Sequence, residues 1–116
     1  MRLKSSIWIS AYIRRCERNH APAMVVRRGA DSAGAIYIKV NRLDGWVTIL
    51  APAPQATFTD QAEHRQWMPL REGQAMTEPD ADKLLEREIS FDPDIWILEV
   101  EDRQGRDFLD DERIHG

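Results

Sequence analysis

Four consecutive large apolar residues, Ile95-Trp96-Ile97-Leu98, constrain this chain more than any other feature. Successive side chains of a strand point to opposite faces, so a strand built from this run is apolar on both. Water must then be kept from both faces. Residues 95–101 are therefore expected to form a central strand covered above and below.

Other segments can supply the cover. Residues 6–19 read as an amphipathic helix, with Trp8, Ile9, Tyr12, Ile13 and Cys16 gathered on one side and Arg14, Arg15, Glu17 and Arg18 on the other. Ser5 or Ser6 can cap its first turn. Residues 23–28 read as a strand, followed by a turn-rich loop over 29–34. In residues 35–42, Ile36, Ile38 and Val40 alternate with Tyr37, Lys39 and Asn41. Trp46 to Leu50 continues the alternation after Leu43-Asp44-Gly45, whose Asp-Gly pair suits the positive φ angles of a tight hairpin. Residues 55–64 read as loop, and 65–70 as an edge strand because of Pro69. A second helix opens at Thr77, with Pro79 in its first turn and Ala81, Leu84, Leu85 and Ile89 as its buried stripe; Asp92-Pro93 stops it. Phe108-Leu109 is expected to close a last short strand or to pack a tail. The predicted fold is α+β, with a small mixed, largely antiparallel sheet of four to five strands and two helices in the order α-β-β-β-(β)-α-β.

Composition supports a folded but lean chain. Val, Ile, Leu and Phe make up 26 of its 116 residues, close to the lower limit for a charged chain that folds. A collagen-like, fibrous or disulfide-stapled class is excluded, and no segment approaches the length of a membrane span. Residues 1–116 are expected to form a single domain, with a loose acidic tail at 110–116. One cysteine, Cys16, and no secretory pattern near Arg2 and Lys4 fit a reducing cytoplasm. Charge is divided: residues 1–77 hold 11 Lys and Arg against 6 Asp and Glu, whereas 78–116 hold 5 against 14. Either the halves fold together and neutralise each other, or the basic half meets an acidic partner.

The stretches Arg2 to Cys16, Val25 to Gly29, Lys39 to Gly45 and Phe91 to Asp102 resemble a family of small alphaproteobacterial proteins catalogued as domain of unknown function 1491. The resemblance implies a bacterial, single-domain protein and carries no activity, cofactor or catalytic residue with it.

Residue chemistry offers little to an enzyme. Cys16 and His20 lie one helical turn apart, but Cys16 falls on the apolar stripe, so a buried, inert thiol is expected. His20, His64 and His115 share no ligand spacing, and no metal or cofactor site is expected. The acidic residues Asp107, Asp110, Asp111 and Glu112 lack calcium-loop spacing. Gly29 to Gly34 runs from strand into strand, which suits a hairpin loop better than a phosphate cradle. The element order resembles the core of magnesium nucleases. Asp31 or Asp44 and Glu17 could supply acids, yet no D/E-x-K triplet occurs. Arg14, Arg15, Arg18, Arg27 and Arg28 form the candidate basic binding face. The leading expectation is a non-enzymatic interaction domain acting through a protein partner or a second copy, with tryptophan available for the interface. The alternative is a nucleic-acid-associated or nuclease-like domain using those arginines.

Overall fold

A computed structural model describes residues 3–54 and 65–114; the loop expected over 55–64 lies outside the described residues. The elements are α1 (Ser5–Arg18), β1 (Ala23–Arg27), β2 (Ile36–Asn41), β3 (Trp46–Pro52), β4 (Trp67–Pro69), β5 (Met76–Thr77), α2 (Glu78–Phe91) and β6 (Trp96–Glu101). One sheet runs β1-β6-β2-β3-β4, with β5 pairing to β3 beside β4. Among the described strands, β2 and β6 pair in parallel, whereas β1–β6, β2–β3, β3–β4 and β3–β5 are antiparallel. The fold is α+β, as the element order implied, and β6 is an interior strand.

Register explains why β6 is apolar on both faces. Ile36, Ile38 and Val40 align with Trp96, Leu98 and Val100. These side chains pack under α1 against Trp8, Ile9, Tyr12 and Cys16. Ile95 and Ile97 point the other way and meet Val47, Ile49 and the α2 residues Ala81 and Leu85. Each helix therefore covers one face of the sheet. The buried tryptophans satisfy their indole N–H groups: Trp8 donates to Glu112 Oε2 (2.9 Å), Trp67 to Ile36 O (2.8 Å) and Trp96 to Ala30 O (2.6 Å).

The segment 29–34 is not a hairpin loop. It steps across the start of β6, because β6 lies between β1 and β2. Ala30 N–H donates to Asp94 O at 2.9 Å. Gly34 is pressed so closely there that a Cβ would sit 2.5 Å from Asp94 O, and Gly29 is tighter still. The loop also caps α1. Its carbonyls at Ser32 and Asp31 accept from Ser5 and Ser6 N–H at 3.1 and 3.2 Å. Ser5 is thereby released from capping; its buried hydroxyl donates to Gly34 O at 2.6 Å.

The β2–β3 hairpin is present, but its turn differs from a tight Asp-Gly pair. Positive φ falls on Leu43 and Gly45, while Asn41 and Asp44 side chains accept from Leu43 and Trp46 N–H. Thr77 caps α2 through Asp80 N–H at 3.3 Å. Phe108-Leu109 forms no strand: Leu109 is fully buried in the α1-side core. The chain from Asp102 to Arg113 becomes a strap held by Tyr12 Oη donating to Asp107 O and Ile114 N–H donating to Trp67 O.

Candidate functional site

The most exposed apolar element is β1. As an edge strand it pairs, among the described residues, with β6 alone. Met24, Val25 and Val26 are 40, 43 and 56% exposed. Natural edge strands are usually blunted by charge, proline or a bulge. Here a register shift between Val25 and Arg27 frees Val26 from the ladder. The charge at Arg27 is turned inward, because Nη1 donates to Pro93 O (3.0 Å) and Ile95 O (2.7 Å). The outward side chains of the edge are left apolar.

Between β1 and α2 runs a cleft of about 200 Å³. Val26, Ile97, Leu85 and Ile89 give it apolar walls, and Lys39, Glu99 and Asp82 stand at its polar end. Lys39 is only 7% exposed, an unusual position for a lysine. Its Nζ lies 3.2 Å from Glu78 Oε1, 3.5 Å from Glu99 Oε1 and 3.9 Å from Asp82 Oδ1. Burial works to lower the Lys39 pKa, but the three carboxylates outweigh it and hold the ammonium above its ordinary value. The site is therefore an apolar edge and groove beside a locked cation.

The candidate basic residues are placed differently from one another. Arg14 and Arg18 are exposed on the outer side of α1. Arg15 is drawn onto the strap, donating to Phe108 O and Glu112 Oε1, both at 2.7 Å. Arg27 is engaged as described, and Arg28 is exposed with its guanidinium 5.5 Å from the Trp96 ring centre. Arg15–Glu112 and the Lys39 cluster join the basic and acidic halves of the chain directly. Asp31 and Asp44 lie beyond opposite ends of β2.

Trp8, Trp67 and Trp96 are buried, and Trp46 alone of the four is exposed. Beside Trp46, the exposed apolar residues include the consecutive run Met24, Val25 and Val26. Their sequence signal was weak, since an apolar five-residue strand reads the same at a covered or an open edge. Lys39 was visible as a polar-face residue, but its carboxylates lie 39, 43 and 60 positions away and come together only through the parallel register and the crossover helix.

Cys16 is fully buried. Burial pushes its thiol up, a hydrogen bond with Tyr12 and the charge of Arg15 opposing this. His20 is exposed at the left-handed position that ends α1 (φ 62°). Among the described residues, no group of three or more His, Cys, Asp or Glu is arranged to hold a metal ion. His64 and His115 lie outside the described residues. Among the described residues no helix is long and apolar enough to cross a membrane.

Comparison with curated proteins finds no match. The crystal structure of a DUF1491 family protein from Caulobacter crescentus CB15 is 38% identical, with TM-score 0.78, covering 98% of this chain and 99% of that one. An NMR structure of a DUF1491 family protein from the same organism is 39% identical, with TM-score 0.77 and 98% of each chain covered. The solution structure of a protein from A. tumefaciens is 36% identical, with TM-score 0.75, covering 87% and 86%. The family model described as protein of unknown function (DUF1491) matches residues 3–110, and the chain belongs to that family.

Proposed function

We propose that this protein is a non-enzymatic interaction domain of the bacterial cytoplasm that pairs with a second copy of itself through β1. The observation that carries this reading is the run of exposed Met24, Val25 and Val26 on an open sheet edge. Strand addition uses main-chain hydrogen bonds for affinity and side-chain pockets for specificity. Antiparallel pairing centred on Val25 is two-fold symmetric and sets Met24 of one copy opposite Val26 of the other, so the patch is self-complementary. The cleft beside Val26 then receives apolar atoms from the neighbouring copy. Relatives from Caulobacter crescentus and A. tumefaciens support a bacterial setting.

Sedimentation velocity over the micromolar range tests the proposal. The wild-type protein is expected to move to a dimer with rising concentration, whereas Val26→Lys stays monomeric with an unchanged circular dichroism spectrum. A wild type that remains monomeric throughout, or a Val26→Lys variant that dimerises equally, overturns it. The exposed Arg14, Arg18 and Arg28 favour a nucleic-acid reading, which salt-dependent retention of a monomer on DNA or RNA would support instead.

A further inference from the structure

We propose that the pocket beneath the C-terminal strap binds a small oxyanion, a phosphate group in particular, between Arg42 and Arg113. The pocket lies on the α1 side of the sheet. Thr48 and Leu50 of β3 and Pro69 of β4 line it from the sheet, Arg42 enters from the hairpin turn, and the strap contributes Gly105, Asp107 and Arg113. Its volume is about 80 Å³, the room of two or three waters at about 30 Å³ each. That is the scale of a single phosphate group.

The chemistry of the lining points to an anion. Among the described residues, the Nε–H groups of Arg42 and Arg113 are buried and have no hydrogen-bond acceptor. Buried donors without partners are rare in folded proteins and call for an explanation at each site. The Arg113 Nη1 is partly committed, donating to Asp107 Oδ2 at 2.9 Å. Asp107 spends its other oxygen on Leu109 N–H at 3.0 Å. The lining thus holds two guanidinium groups against one carboxylate whose oxygens are both in use. Arg42 makes no ion pair among the described residues, and a guanidinium fork matches phosphate geometry. Gly105 lets the strap pass against this arginine, since a Cβ there would sit 3.2 Å from Arg42 Nε. The site is separate from the β1 edge and does not depend on its pairing.

Titration of the full chain with inorganic phosphate at constant ionic strength tests the assignment, read from the arginine Nε–H signals in ¹H–¹⁵N spectra. The signals of Arg42 and Arg113 are expected to shift together and saturate, while those of exposed Arg103 do not. Arg42→Gln is expected to weaken binding by about tenfold or more. Glycerol phosphate, run in parallel, tells a covalently carried phosphate group from the free ion; tighter binding of either supports the site. Shifts that grow linearly across all exposed arginines, or an Arg42→Gln protein that binds as the wild type does, overturn it.

Discussion

Replacing Lys39 with Met removes the ammonium that Glu78, Asp82 and Glu99 surround while keeping a side chain of similar length. The magnitude follows from geometry. At the observed 3.5 Å to Glu99, an effective dielectric near 20 gives a gross attraction of roughly 4–5 kcal/mol. Desolvation of both groups offsets much of it. Glu78 and Asp82 are about half-exposed or more, so each adds little beyond a surface pair. Glu99 also accepts from Asn41 Nδ2 at 3.1 Å, a bond that the substitution does not remove. A coupling of about 1.5–3 kcal/mol between Lys39 and Glu99 is therefore expected. The assay is a double-mutant cycle in urea with Lys39→Met, Glu99→Gln and the pair. A coupling below about 0.5 kcal/mol refutes the view that Lys39 is held by these charges. The sign with pH is also fixed. The folded pKa lies above the ordinary 10.5, so this stabilisation is complete below that value and lost as pH rises through the folded pKa. Below pH 10.5 the gap between wild type and Lys39→Met should stay constant with respect to this group, and it should narrow above.

Three further outcomes follow from the packing. His20→Gly should stabilise the protein by about 1 kcal/mol, raising Tm by about 4 °C in a calorimeter, because His20 occupies a left-handed position where glycine has no Cβ penalty. Leu109→Ala should cost about 2–5 kcal/mol in urea denaturation, since the strap is anchored by that fully buried side chain. A thiol reagent at pH 8 should leave Cys16 unlabelled in the native protein and react once denaturant is added, because the thiol is buried and its pKa raised.

Local signals in the sequence were strong where one residue pattern decides one element. The stripe from Trp8 to Cys16, the alternation from Ile36 to Val40, the Thr77 cap and the doubly apolar β6 each appear where periodicity and capping chemistry place them. What stayed hidden depends on pairing between distant segments. Placing β6 between β1 and β2 requires residues near 30 to cross residues near 94, where Gly29 and Gly34 approach Asp94 closely and Ala30 N–H bonds to Asp94 O. Ser5 reads as a cap until the 31–34 loop takes over that role. The two-residue β5 is too short for any periodic pattern. For the site, Met24 to Val26 signalled a strand, but whether that strand was open could not be read before α2 was placed over β2, β3 and β6.

The central claim is that two copies meet along β1. Its most direct test is a mixed NMR sample, one copy carbon-13 labelled and the other not, at a concentration where the dimer is populated. Intermolecular contacts between the Met24 and Val26 methyl groups are predicted. Their absence in a dimeric sample, or contacts centred instead on exposed Phe91 or Trp46, would contradict the account.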